Sequence, residues 1–183
     1  MFFIEYIVKL INGIPDEAYI ISMVFYCAGT VMLLGLNGLQ KGLHYSMRLL
    51  LVDYFFIVYS STVFYREKSD KCYYNYSPFW SYDILQETPN SILLYENLMN
   101  VVVFVPVGFL LGFSFLSMKW WKVLLIGSGV SISIETLQFF FHRGFSEVDD
   151  VIHNTIGCLI GYGVYSLLKK GYETISKRRL AVF

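Results

Sequence analysis

Hydrophobic positions along the chain form five long runs separated by short polar segments. The runs cover about residues 18–36, 49–65, 98–116, 123–141 and 151–168. Each run approaches the roughly 20 residues with which an α-helix crosses the hydrocarbon core of a bilayer. The pattern therefore predicts an all-α integral membrane protein, a five-span helical bundle whose transmembrane domain covers residues 18–168.

Three segments lie outside these runs. Residues 1–17 place apolar side chains at helical spacing among charged ones, which predicts either an interfacial amphipathic helix or a frayed terminus. Residues 66–96 form a long polar loop with an aromatic stretch, CYYNYSPFWSY. This stretch is either an aromatic belt in the headgroup region or a lid over a pocket. Residues 169–183 form a basic tail.

Composition narrows the class of protein further. Only 15% of the residues are charged, against about a quarter in soluble domains, and the net charge of zero gives no sign of nucleic-acid binding. The three cysteines are scattered, which argues against a disulfide framework or a zinc site. The first residues lack a basic segment and a small-residue cleavage site, so we expect no removed signal peptide.

The distribution of Lys and Arg predicts the orientation. Nine of the fourteen basic residues fall in the loop near residue 41, the turn near residue 120 and the C-terminal tail. Basic loops stay in the cytosol, so the N-terminus is expected outside and the C-terminus inside. The polar loop 66–96 and the turn 142–150 would then face outward.

Polar residues interrupt three of the predicted spans at a similar depth. Glu135 lies about six residues, or roughly 9 Å, inside the outer end of the fourth run. A carboxylate at that depth is expected to face protein or a water-filled cavity. Gln138 shares its helix face, while Asn100 and Asn154 occupy the third and fifth runs. These residues are either interhelical hydrogen-bonding groups or a functional pocket, and their convergence favours the pocket.

Other residues within the runs are interpreted as structural. Pro106 is expected to kink the third span, and two pairs of glycines four residues apart are expected to let helices approach closely. These pairs are Gly108 with Gly112 and Gly157 with Gly161. Asp53 is expected near the cytosolic end of the second span.

Four motifs in order resemble those of the VanZ-like family of small membrane proteins, over about residues 66–165. They are NYSPF (Asn75, Pro78, Phe79), NVVVFVPVGF (Asn100, Phe104, Pro106, Gly108), ETLQ (Glu135, Gln138) and EVDDVIHNTIG (Glu147, Asp150, Asn154, Gly157). One departure is Glu147, where the family usually has Asp. The carboxylate is kept but is one methylene longer, which would loosen tight metal geometry more than hydrogen bonding.

The resemblance implies a bacterial membrane protein of the outer leaflet that is linked to teicoplanin tolerance, without specifying a reaction. It draws attention to Glu147, Asp150 and Asn154, and makes Asp149 and His153 supporting surface residues. Arg143 either pairs with the acids or binds an anionic headgroup.

Two functions remain open from the residues. In an enzyme acting on a lipid-anchored envelope substrate, Glu135 would be the general acid or base. Glu147 and Asp150 would assist it or hold Mg²⁺ or Ca²⁺. The substrate-binding candidates are Asn154, Gln138, Asn100, Asn75 and Arg143. The alternative is a non-catalytic protein that sequesters a lipid-linked cell-wall precursor or a lipoglycopeptide. In either case membrane lipids are the expected partners.

Overall fold

The computed structural model describes residues 13–87 and 91–180, so most of the predicted N-terminal amphipathic helix lies outside the described residues. The chain is mostly helical. Its elements are α1 (Asp16–Tyr59, continued by a π-helical turn, Ser60–Phe64), β1 (Tyr73–Asn75), α2 (Trp80–Glu87), α3 (Ser91–Ser114), α4 (Trp120–Phe141), β2 (Phe145–Glu147) and α5 (Val148–Leu180).

Four helices within the described residues are long and apolar enough to cross a membrane. They are α1 with its π-helical turn, α3, α4 and α5. This agrees with the predicted all-α membrane protein. The predicted basic tail is helical as far as Leu180, because α5 continues beyond its apolar run.

Helix α1 is bent back on itself at Gly38. The backbone there leaves the helix (φ 70°, ψ 172°), a conformation that glycine adopts more readily than other residues. The Ser22 hydroxyl donates to the Asp53 carboxylate at 2.5 Å. A Cβ on Gly29 would lie 2.5 Å from the Leu49 side chain. These contacts join residues on opposite sides of Gly38, so the two limbs run antiparallel. The predicted loop around residue 41 is helical.

The bend at Gly38 also sets the place of Asp53 along the second limb. Because the second limb starts just after Gly38, Asp53 lies roughly 22 Å along the helix from the turn. Its partner Ser22 lies near the start of the first limb. Asp53 therefore belongs nearer to the open end of the hairpin than to its turn.

Helix α3 packs most extensively against α5, and glycine makes the contact possible. A Cβ on Gly108 would overlap the carbonyl of Cys158, and one on Gly161 would overlap the carbonyl of Val105. The two backbones therefore touch directly, as in closely packed membrane helices. Phe104 is 2% exposed and lies against Gly157 at the same contact. This packing brings the first turns of α5 beside the N-terminal half of α3.

A short parallel pairing of β1 with β2, which the hydrophobic pattern did not predict, attaches the polar loop that begins at Arg66 to the α4–α5 turn. Tyr73 pairs with Phe145, and Asn75 pairs with Glu147. The thiol of Cys72 also donates to the Phe139 carbonyl at 3.4 Å. Residues far apart in the sequence therefore meet where α4 ends and α5 begins.

Candidate functional site

The buried carboxylate of Glu135 lies where α4 meets β2. Its side chain is 6% exposed, and it accepts a hydrogen bond from the backbone N–H of Glu147 at 3.0 Å. This contact requires the chain to reverse after α4. The reversal takes place through His142 in the left-handed region (φ 55°) and Gly144 (φ 113°).

A second carboxylate, Asp150, lies in the first turn of α5 and contacts α3. The amide of Asn100 donates to Asp150 Oδ1 at 2.6 Å. The glycine contact between α3 and α5 places these two side chains together. Asn100, one of the polar residues expected to converge, thus meets Asp150, an acid to which the motif resemblance drew attention.

Glu147 joins the acids to the aromatic loop. The indole N–H of Trp80 donates to Glu147 Oε2 at 2.8 Å, and the Trp80 ring stands edge-on to Phe145 at 5.7 Å. Burial raises the pKa of Glu147 from 4.5 to about 8, and the negative charge of Asp150 adds to the shift. The Trp80 hydrogen bond opposes this shift. Glu147 is therefore protonated in a large fraction of molecules at neutral pH and can donate a proton.

Asp149 is buried, so its expected place on the surface is wrong. It is 1% exposed and accepts hydrogen bonds from the backbone N–H of Phe79, the backbone N–H of Ser81 at 3.1 Å and the Ser81 hydroxyl. The amide of Asn97 donates to the same hydroxyl at 3.1 Å. The carboxylate thereby caps the N-terminus of α2, where backbone donors and the helix dipole favour negative charge.

His153 is buried for the same reason, and the expectation of a surface residue is wrong here too. It is 4% exposed, and its Nε2 lies 2.7 Å from the Tyr82 hydroxyl. Asp149 and His153 are four residues apart on α5 and contact α2 together. The sequence signal for this contact was the four-residue spacing of Asp149 and His153 on one helix face, together with the loop stretch SPFWSY that contains their partners.

The side-chain amides of Asn154 and Gln138, both predicted for the site, form a hydrogen bond through the nitrogen but, within the described part of the chain, not through the oxygen. Asn154 donates to the Ser131 hydroxyl at 2.8 Å, and Gln138 donates to the Thr62 carbonyl in the π-helical turn at 3.2 Å. Their carbonyl oxygens are buried without a hydrogen-bond partner among the described residues. Each amide lies about one helical turn from an acid on the same helix, Asn154 from Asp150 and Gln138 from Glu135.

Two further candidates lie at the edge of the site. Asn75 Oδ1 accepts from the backbone N–H of Ser77 at 2.9 Å, which shapes the turn through Pro78 into Phe79 (φ 65°). Arg143 donates to the carbonyls of Val63 and Phe64, at the end of the π-helical turn, instead of to the acids.

Arg66 is a member of the site that sequence reasoning missed. Its guanidinium rests on Gly144, where a Cβ would lie 2.6 Å from Cζ. From there its charge acts on both Glu135 and Asp150. The available sequence signal was that Arg66 is the first residue of the polar loop 66–96, directly after the second apolar run.

The arrangement is organised by hydrogen bonds. Within residues 13–87 and 91–180 there is no group of three His, Cys, Asp or Glu side chains that could hold a metal ion. The expected metal ligands, Glu147 and Asp150, accept hydrogen bonds from Trp80 and Asn100. What the site offers chemically is a proton on Glu147, two further carboxylates and two open amide acceptors.

The raised pKa of Glu147 predicts that folding stability falls as pH rises. Between 4.5 and about 8 the folded protein binds this proton more tightly than the unfolded chain, so the contribution is complete below 4.5 and lost as pH rises through about 8. Thermal unfolding in detergent from about pH 5 to about pH 9 should show this slope, and Glu147→Gln should flatten it. Glu173→Gln, an exposed glutamate on α5, is the control and should leave the slope unchanged. An identical slope in Glu147→Gln and the wild type would contradict the assignment.

Comparison with known proteins identifies the family of the chain. The VanZ/LLP1 family model matches residues 46–169. Protein VanZ of Enterococcus faecium is 31% identical over 88 residues, which are 48% of this chain and 55% of that protein. The chain thus spans about half the length of this curated relative. No solved structure matches. Because the family model covers well over half of the sequence and confirms the motif resemblance, the chain belongs to the VanZ/LLP1 family.

Proposed function

We propose that this protein contributes to tolerance of teicoplanin-type glycopeptides by acting on a lipid-anchored envelope substrate at the outer leaflet. Family membership supports the link to resistance. The observation that carries the proposal is the buried carboxylate of Glu135, in a helix apolar enough to cross a membrane and bonded to Glu147. Such a group is costly within a bilayer and typical of a functional site.

The proposal includes a topology with five spans in the bacterial cytoplasmic membrane. Each limb of the α1 hairpin would cross once, followed by α3, α4 and α5, with the N-terminus outside and the C-terminus in the cytosol. The antiparallel limbs support the count, and the excess of basic residues near residues 41, 120 and 169–183 supports the orientation. The acid site then faces outward.

Single cysteines on a background with the three native cysteines replaced by serine test this topology. We expect Lys71→Cys, in the outer loop, to react with a membrane-impermeant maleimide in intact cells. Lys119→Cys, in the α3–α4 turn, should react only after permeabilisation. Both positions are exposed, so accessibility reports sidedness. The reverse pattern would contradict the outward placement of the site.

Within the proposed reaction, the acids have different roles because their environments differ. Glu147 supplies a proton, because burial keeps a large fraction of it neutral near pH 7. Glu135 acts as the partner acid or base. The free acceptors of Asn154 and Gln138 orient hydroxyl or amide donors of the substrate. Glu147 and Asp150 also remain the candidate ligands for Mg²⁺ or Ca²⁺, which would displace the hydrogen bonds from Trp80 and Asn100.

A second function is favoured by one observation. Each of the acids Glu135, Glu147 and Asp150 already accepts a hydrogen bond from a donor in the protein. Such a preorganised network suits a protein that binds a lipid-linked cell-wall precursor or a lipoglycopeptide without changing it. Tolerance would then scale with the amount of protein, and envelope chemistry would stay the same.

Glu135→Gln separates these functions. Gln keeps the shape but removes the acid, so we expect teicoplanin tolerance to fall to the level of cells without the protein, at unchanged protein abundance. Mass spectrometry of envelope lipids and precursors should show a species that depends on the wild type and is absent in the variant. Glu173→Gln, exposed on α5, serves as the matched control.

Two outcomes would change the account. Full tolerance in Glu135→Gln would remove this residue from the mechanism. Lost tolerance without any difference in envelope lipids or precursors between cells with and without the wild-type protein would favour the binding function.

A further inference from the structure

A cleft lies at the outer end of α4, beside the acid site. Its volume is about 170 Å³, and it is lined by Lys68, Phe140, Phe141, His142 and Arg143. Two of these side chains are cationic, the imidazole is a hydrogen-bond donor in either protonation state, and none is acidic. The lining therefore carries positive charge that no lining carboxylate neutralises.

Backbone contacts give the cleft a defined shape. The N–H of Ser69 donates to the His142 carbonyl at 2.8 Å, which ties the start of the outer loop to the α4 turn. The N–H of Arg143 donates to the Gln138 carbonyl at 2.9 Å, which closes the end of α4. Side-chain hydrogen bonds to the π-helical turn then hold the Arg143 guanidinium in place.

The apolar part of the lining faces away from the protein. Phe140 is 70% exposed and Phe141 is 48% exposed, at the end of a helix apolar enough to span a membrane. Aromatic side chains at such a boundary contact acyl chains, while adjacent cations contact headgroups. Lys68 and Arg143 beside two exposed phenyl rings thus match a lipid whose polar end carries an anion.

We propose that this cleft binds the phosphate of an anionic lipid headgroup, which no choline cation neutralises, with Lys68 and Arg143 contacting the phosphate and Phe140 and Phe141 the adjoining chain. Guanidinium and ammonium groups are the usual protein partners of phosphate. The inference rests on the proposed outward orientation and names the substrate class of the proposed function. Arg143 is followed directly by Gly144, on which Arg66 rests close to Glu135 and Asp150. A phosphate in the cleft would therefore lie at the entrance to the acids.

Charge reversal at Lys68 tests the proposal, with Lys71→Glu as the matched control. Lys71 is exposed in the same loop and does not line the cleft. The protein is placed in nanodiscs of phosphatidylglycerol and phosphatidylcholine with identical acyl chains, and retained lipid is counted by native mass spectrometry. The wild type and Lys71→Glu should retain phosphatidylglycerol preferentially. Lys68→Glu should lose that preference by roughly tenfold.

Other outcomes would overturn the proposal. Equal losses in Lys68→Glu and Lys71→Glu would mean that only the general charge of the loop matters. Unchanged retention in Lys68→Glu, accompanied by a lower unfolding temperature, would mean that Lys68 only complements the C-terminal end of α4. Binding of labelled inorganic phosphate in discs of phosphatidylcholine alone, abolished in Lys68→Glu, would assign the cleft to free phosphate instead.

The binding result is independent of the proposed activity. Glu135→Gln leaves the cleft intact, so it should retain phosphatidylglycerol while losing tolerance. Full tolerance in that variant would contradict the proposed function and leave the lipid site standing. Loss of selective retention in Lys68→Glu, with wild-type retention in Glu135→Gln, supports the lipid site.

Discussion

The carboxylate of Asp149 accepts hydrogen bonds from the start of α2 and so ties the polar loop that begins at Arg66 to the first turn of α5. Removing it would leave the backbone donors of Phe79 and Ser81 without this acceptor, and at the buried Ser81 an unpaired donor costs about 1–3 kcal/mol. The positions of Trp80 and Tyr82 depend on this attachment of α2 to α5. Trp80 holds Glu147, and Tyr82 holds His153, so the aromatic loop completes the site through the same anchor.

The second contact on which the site depends is the close packing of α3 on α5. Glycine lets the two backbones touch, and the register of that contact brings Asn100 to Asp150. The acids Glu135, Glu147 and Asp150 are then held together, and among the described residues the charge of Arg66 acts on Glu135 and Asp150. Burial beside the other acids raises the pKa of Glu147, which is the basis of the proton donor proposed at Glu147.

Features that depend on local pattern were predictable from the sequence. Apolar runs of membrane-spanning length identified the helices, and Glu135, Gln138 and Asn154 were conspicuous as polar groups within those runs. Glu135, Gln138, Asn100 and Asn154 were predicted to lie at a similar depth, because their distances from the ends of the runs set that depth. Family motifs then restricted the candidates to positions that the structure gathers at one end of the bundle.

Features that depend on distant contacts were not predictable. Asp149 and His153 lie beside Asp150 and Asn154 in sequence, and only the folding of α2 onto α5 determines that they are buried. The pairing of β1 with β2 joins segments about seventy residues apart and has no periodic signature. Arg66 was missed because its contact depends on the space left by Gly144. The helical segment around residue 41 was missed because a single glycine, Gly38, makes the bend in place of a loop.

Hydrogen exchange of the Phe79 and Ser81 amides in Asp149→Asn tests most directly whether this carboxylate closes the site. Asn keeps the size but can turn an N–H₂ donor toward amides that need an acceptor. We expect both amides to exchange at least roughly tenfold faster in Asp149→Asn than in the wild type. Asp83→Asn, an exposed acid on α2, should match the wild type. Unchanged protection of both amides in Asp149→Asn would contradict the account.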